Sequence, residues 1–299
     1  MRAHRGAGCP RHRRRVRVEV PVGGSLARRT PNHRRSRSQT RRRTTVPALG
    51  DGRADGVWCT LGEPRTTAQI AQNGFAWLGL DAQHGAFDDA TLLATMPALA
   101  AVAPQVPVAV RVAEGSGAAI GRALDLGADI VIVPMIETVE QAEHAVRAAH
   151  YPPRGRRSWG PMAGLWGGAA PSAAGADPEV WVMLETPEGL RAAEQILAVP
   201  GVSAVFVGPF DLSIGLGIEL DELLAADDDG HHSPAALPAI VAAARRAGKH
   251  TGAFAGDLAR AERLRALGFE RVAVVTDGTL LAHGAAAVLG AAATGRTSY

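Results

Sequence analysis

Lysine is almost missing from this chain. Of 32 basic residues only Lys249 carries an amine, so covalent imine chemistry has a single candidate nucleophile. Cysteine is as scarce. Cys9 and Cys59 cannot build a disulfide framework, and they point to a reducing, cytoplasmic setting. Aromatic residues are 4% of the chain, so Ala, Val, Leu and Ile are expected to form the core. No apolar run reaches the roughly 18 residues that a bilayer-spanning helix needs, which argues against a membrane protein. "VRVEVPVGG" near the start is too short and too interrupted for a signal-peptide core.

Acid is missing from one end. Residues 1–50 hold 15 arginines and one acid, Glu19, for a charge of +14, while the rest holds 17 basic and 28 acidic residues, for −11. The sequence pI of about 9.4 therefore describes a tail. Residues 1–48 show no helical or strand period, and high like charge with little to bury predicts a disordered extension, one that need not belong to the natural protein. A nucleic-acid-binding arm is the rival reading from another class. The absence of Tyr, Trp and Phe there removes base stacking, and the −11 of the remainder opposes extended phosphate contact, so nucleic acid is not the expected partner.

What is present, from residue 56 on, is alternation. Apolar runs at 56–61, 75–81, 106–112, 128–135, 180–185, 202–208, 250–255 and 270–276 alternate with helical stretches near 64–73, 88–101, 116–126, 137–149, 187–197, 234–247, 257–267 and 277–290. Gly127, Gly248 and Gly268 stand where helices end. Near-continuous apolar strands are buried on both faces, hence parallel. Eight strand–helix units predict a (β/α)8 TIM barrel over 49–299, an α/β fold. No Gly-x-Gly-x-x-Gly opens the first helix, against a dinucleotide-binding sheet. The connections 150–179 and 209–233 are expected on the C-terminal face.

Chemistry in such a barrel belongs at the C-terminal strand ends. Those ends carry Trp58, Asp81 with His84 in "LDAQHGAFDD", Arg111, Glu185, and Asp211 in "GPFDLS". A lone loop histidine is more often solvated than catalytic. Here five polar residues of complementary chemistry share one mouth. Glu185 and Asp211 offer hard oxygens that suit Mg²⁺ or Mn²⁺ and leave positions for water and substrate. Backbone N–H groups of Phe210 and Asp211 are placed to bind a carboxylate. Arg111 supplies a cation for a developing oxyanion, and His84 a base near neutral pH. This set suits enolate chemistry. Asp125 in "ALDLGAD" is a candidate orienting carboxylate. His231 and His232, in "ADDDGHHSP", read as a solvated loop. Lys249 precedes a strand, at the end opposite the chemistry.

Taken together, "DAQHGAFD", "VAVRV", "ALDLGADIVIVPMIETVEQAEHAVRAAHYPPRGRRSWGP", "VMLETPEGL", "ILAVPGVSAVFVGPFDLSIGLG" and "GFERVAVVTDGTLL" resemble the HpcH/HpaI aldolases through nearly all of 56–285. The resemblance implies a metal-dependent class II pyruvate aldolase, cleaving a 4-hydroxy-2-oxo acid to pyruvate or a close analogue plus an aldehyde. It implies Mg²⁺, Mn²⁺ or Co²⁺ on Glu185 and Asp211, enolate stabilisation by Arg111, and His84 as base, oriented by Asp81 and by Asp125 of a neighbouring subunit. It places Trp58 on the aldehyde side and Gly208 and Phe210 against the carboxylate of the oxo acid. It also implies a homo-oligomer, a hexamer assembled from dimers with exchanged C-terminal helices. Well-known members carry Glu before the histidine and Gln two residues before the metal-binding Glu. This chain has Gln83 and Met183.

The nearest enzyme alternative is a citryl- or malyl-CoA-type lyase on the same barrel, for which Arg154, Arg156 and Arg157 would hold nucleotide phosphates. The tail reading has its own test. Deleting residues 1–48 is expected to leave the melting temperature and turnover unchanged, and a loss of either would show that the arm packs on the barrel or completes its site.

Overall fold

In a computed structural model, the structure describes residues 49–50, 52–166, 172–225 and 235–293. The chain divides into two units, Met1–Gln39 and Thr40–Tyr299. The first lies outside the described residues, as does the whole Arg-rich stretch 1–48, and the fold is that of the second. His231 and His232 also lie outside the described residues.

Eight parallel strands close into a barrel in chain order: β1 (Ala54–Cys59), β2 (Trp77–Asp81), β3 (Val108–Arg111), β4 (Ile130–Val133), β5 (Glu179–Leu184), β6 (Ala204–Val207), β7 (His250–Phe254) and β8 (Arg271–Thr276). The helices between them are α1 (Pro64–Ile70), α2 (Asp89–Val102), α3 (Gly117–Asp125), α4 (Val139–Ala149), α5 (Pro187–Arg191), α6 (Ala193–Leu197), α7 (Pro209–Leu216), α8 (Leu220–Leu223), α9 (Ala236–Arg246) and α10 (Leu258–Ala266), with α11 (Asp277–Ala293) after β8. This is the expected TIM barrel. Local chemistry sets its joints. Asp88 and Thr138 close capping boxes at the starts of α2 and α4. Gly127, Gly248 and Gly268 follow α3, α9 and α10 at positive φ, where other residues are strained.

Strand alternation sorts side chains into two cores. One face of each strand meets the helices with aliphatic residues, such as Leu78, Val110, Val182 and Val205. The other faces the barrel interior, and here the composition misleads. Trp58, Trp77, Trp181 and Phe206 fill that interior, so four of the 13 aromatics build most of the inner core's bulk. Trp77 packs edge-on against Trp181 with centroids 5.3 Å apart, and Trp58 stacks on Phe206 at 5.4 Å. Glycine makes the room. A Cβ on Gly56 would lie 2.2 Å from the Trp77 ring, and one on Gly79 would lie 2.5 Å from Trp58. At the N-terminal end of the interior, Arg271 pairs with Glu179 at 2.6 Å, and Glu179 also accepts from Trp181 Nε1.

The expected position of the 150–179 connection is corrected. It leaves the end of α4 and enters β5, so it lies at the N-terminal end of the strands. Its residues confirm this by touching the end of α3: the N–H of Met162 donates to the Asp125 carbonyl, and the Arg157 guanidinium donates to the Asp125 carboxylate at 2.7 Å.

Because Gly56 faces a fully buried indole, Gly56→Ala should overpack the interior. The expected cost is about 1–3 kcal/mol, read as a fall of roughly 5 °C in melting temperature for a domain this size. An unchanged transition would show that the Trp77 ring can give way.

Candidate active site

Asp81 and Arg111 are paired residues in the β2–β3 register. Neighbours in a parallel register project the same way, so both point inward at the C-terminal mouth. Arg111 donates through Nε to Asp81 Oδ1 at 2.9 Å and through Nη2 to Oδ2 at 2.5 Å. Asp81 is 2% and Arg111 7% exposed, so the pair is nearly dry. Trp58 forms the floor. Its Nε1 donates to Asp81 Oδ2 at 3.2 Å, and its ring lies 5.3 Å beneath the guanidinium. Burial alone would raise the Asp81 carboxyl. The Arg111 guanidinium, with the N–H groups of His84 and Gln83, outweighs it and holds the group below its ordinary range.

Those two N–H groups show what Asp81 does to His84. It fixes the backbone of the loop, accepting from Gln83 N at 3.0 Å and His84 N at 3.2 Å. The exposed imidazole itself bonds to nothing among the described residues. Gly85 permits the tight turn, since a Cβ there would lie 2.4 Å from the Asp81 carbonyl oxygen.

Across the mouth stand two carboxylates. Glu185, directly after β5, is 2% exposed, and its Oε1 accepts the Met135 N–H at 2.8 Å. Met135 adopts φ +57°, an uncommon conformation for a non-glycine residue that brings this N–H to the site. Asp211 sits in the first turn of α7, exposed and beside Glu185. Burial pushes the Glu185 carboxyl up and Asp211 adds to this, while the Met135 N–H and Arg111 oppose it. Among the described residues no third His, Cys, Asp or Glu joins them to complete a metal cluster. A buried carboxylate with an exposed one beside it is a donor set that a divalent cation fits, with open positions for water and substrate.

Gly208 caps α7 beside them. A Cβ on it would meet Met183 Cε at 2.6 Å and Glu185 Oε2 at 2.7 Å. Pro209 occupies the first helical position, and the N–H groups of Phe210 and Asp211 have no acceptor among the described residues. Phe210 is half-exposed, its ring against Phe254 at 5.9 Å and under the Arg260 guanidinium at 5.2 Å.

Of the expected site residues, Trp58, Asp81, Arg111, Glu185, Gly208, Phe210 and Asp211 therefore gather at the mouth, with His84 on the adjoining loop. Asp125 does not join them within one chain. It ends α3, at the opposite end of the strands, paired with Arg157.

A family model described as HpcH/HpaI aldolase/citrate lyase matches residues 55–284, spanning all eight strands but the first residue of β1. The chain belongs to this family. It is accordingly an enzyme, an aldolase-type carbon–carbon lyase. A hydroxypyruvate/pyruvate aldolase of Pseudomonas aeruginosa is 38% identical over 232 residues, covering 76% of this chain and 83% of that one. A 4-hydroxy-2-oxo-heptane-1,7-dioate aldolase of Klebsiella pneumoniae is 36% identical over 247 residues, covering 81% and 90%. The crystal structure of a family protein from Burkholderia cenocepacia J2315 superposes with a TM-score of 0.68 at 31% identity, covering 81% and 95%.

Two residues of this aldolase-family mouth escaped the sequence reading. Met135 acts through its backbone, which side-chain chemistry does not announce. Asp277, at the start of α11, accepts the N–H groups of Thr60 and Leu61, each at 3.0 Å, and ties the loop after β1 to the end of β8. The signal was available: an acid directly after the last strand, in "VVTDG".

The raised Glu185 carboxyl fixes a sign. A folded-state value above the unfolded one contributes stability that is present at low pH and is lost as pH rises through the folded value. In chelator-treated buffer at pH 8, Glu185→Gln should therefore melt higher than the parent protein. The gap should close as pH falls towards the ordinary carboxylate range. A variant that melts lower at pH 8 would show that the ionised carboxylate is stabilised by its surroundings.

Proposed function

We propose that the protein cleaves a 4-hydroxy-2-oxo acid to pyruvate, or a close analogue, and an aldehyde, with Mg²⁺, Mn²⁺ or Co²⁺ held by Glu185 and Asp211. One observation carries this reading: a buried, carboxylate-braced guanidinium faces a buried carboxylate, with a second carboxylate beside it, across one mouth. When bound, the cation supplies Lewis-acid stabilisation of negative charge on the oxo acid. The protein's residues do the rest. The N–H groups of Phe210 and Asp211, with the space left by Gly208, bind the substrate carboxylate. Arg111, with Nη1 still unpaired among the described residues, donates to the 2-oxo oxygen as it becomes an enolate oxygen. His84 takes the proton of the 4-hydroxyl, directly or through water. The C3–C4 bond breaks, its electron pair enters the enolate, and the aldehyde leaves. Protonation at C3 then gives pyruvate. Asp81 and Trp58 hold Arg111 and the His84 loop in place and touch no reacting atom in this scheme.

The CoA-lyase alternative needs free cations near the mouth. Arg154 and Arg157 are instead paired with Asp177 and Asp125, and Arg156 stands with them, at the opposite end of the strands, which favours the oxo-acid reading. We also propose a cytoplasmic homo-oligomer of hexameric order. α11 supports assembly, with Leu281, Val288 and Leu289 exposed along it. Asp125 would then serve a neighbouring subunit's mouth. Among the described residues no helix is long and apolar enough to cross a membrane.

The residue roles make separable predictions. His84→Ala should lower retro-aldol turnover by about two to four decades, the range for a positioned general base. Exchange of the pyruvate methyl protons should fall less, because Arg111 still stabilises the enolate. Arg111→Ala should damage both reactions, and chelation should stop both. Wild-type cleavage by His84→Ala across pH 6–9 would return His84 to an ordinary loop histidine. Full turnover in EDTA would end the metal reading.

A further inference from the structure

Beside the mouth, a cleft of about 520 Å³ opens between the ends of β3 and β4 and the start of α4. Two of its lining residues belong to the site's immediate surroundings. Gln83 precedes His84, and Met135 gives its N–H to Glu185. Space for the part of the substrate that departs as aldehyde therefore adjoins the proposed base. We propose that this cleft selects neutral, hydroxylated aldehydes and that Gln83 is the specificity-determining residue. The inference rests on the aldolase reading and deepens it.

Two features carry it. The first is an unmet bond. Gln83 Oε1 is shut off from solvent and accepts no hydrogen bond. The terminal amide torsion is soft, so the group can turn to present either oxygen or nitrogen to the cleft. A hydroxyl both donates and accepts, so it can pair with whichever amide atom is turned to the cleft. An alkyl chain leaves it unpaired, the situation in which a polar site discriminates most strongly.

The second feature is charge. Glu114 and Glu140 both line the cleft, His144 is the only basic side chain in its lining, and no lysine or arginine is there. Part of the N–H set at the starts of the flanking helices, the natural seats for an anion, is already engaged. Ser116 Oγ accepts from Ala119 at the start of α3. Thr138 Oγ1 accepts from Gln141, and Gln141 Oε1 accepts from Glu137 and Thr138. Glu140 in the first turn of α4 further answers that helix's positive end. A terminal carboxylate entering here meets two like charges, and the side-chain donors lining its path, Gln83, Gln141 and His144, include no lysine or arginine. Ala113, Pro134, Met135 and Ile136 suit a short carbon chain.

The test is aldol addition with pyruvate as donor and glyceraldehyde, propanal or 4-oxobutanoate as acceptor. For wild type, kcat/KM should favour glyceraldehyde over propanal by about tenfold, and over 4-oxobutanoate by at least as much. Gln83→Met should bring the glyceraldehyde-to-propanal ratio close to one. The Glu114→Gln, Glu140→Gln double variant should narrow the gap to 4-oxobutanoate. Each ratio is taken within one preparation, so partial misfolding of a variant cancels. Wild type that uses propanal or 4-oxobutanoate as well as glyceraldehyde would overturn the inference, as would ratios that the substitutions leave unmoved. Exchange of the pyruvate methyl protons by wild type needs no aldehyde and separates the two readings. If exchange occurs and the preferences do not, this inference fails alone, and if exchange is absent the aldolase reading fails with it.

Discussion

The buried ion pair between Asp81 and Arg111 is the constraint on which the mouth depends. Neither charge is tolerable alone at this depth. Removing one partner of such a pair costs roughly 3–5 kcal/mol because the other is left uncompensated. The two groups are carried by adjacent strands at paired positions, so barrel closure and the register of β2 against β3 set their meeting. Asp81 then distributes that order outward, to Trp58 below through its indole N–H and to the His84 loop above through two backbone N–H groups. One carboxylate thus fixes the floor, the cation and the loop that carries the proposed base.

The interior beneath this pair explains why the mouth is rigid. Large indoles fill the space inside the strands, and glycines on neighbouring strands receive them. Interiors so packed transmit strain and do not absorb it. Arg111 rests on Trp58, which stacks on Phe206, which packs against Trp181 above the Arg271–Glu179 pair. The barrel interior therefore has a charged pair at each end and an aromatic column between them.

On the opposite wall the electrostatics run the other way. Glu185 is buried and held by the Met135 N–H, Asp211 stands beside it at the surface, and burial and the second charge together work against the ionised Glu185. A site that gathers like charges at a cost to stability is a common mark of function. The same residues show how narrowly the substrate side is drawn. Gly208 leaves the carboxylate oxygens uncovered, while Gln83 and the acids near it shape the neighbouring cleft.

Much of this was legible in the residues themselves. Apolar runs separated by helical stretches ending at Gly127, Gly248 and Gly268 determined eight strand–helix units, because strand and helix periods are local properties of the chain. Polar residues placed directly after those runs, Asp81, Arg111, Glu185 and Asp211, determined which groups stand at the C-terminal ends. Other features depended on closure in three dimensions. That Trp58, Trp77, Trp181 and Phe206 collect inside the barrel, that Asp81 grips Arg111 and not the His84 imidazole, and that Met135 turns its N–H onto Glu185 all involve partners dozens of residues apart. The placement of 150–179 was decided by strand direction in the closed sheet, which sends a helix-to-strand connection to the N-terminal end and holds Asp125 with Arg157 there. Local pattern selects elements and the ends on which their polar groups fall. Register, closure and burial select which of those groups touch.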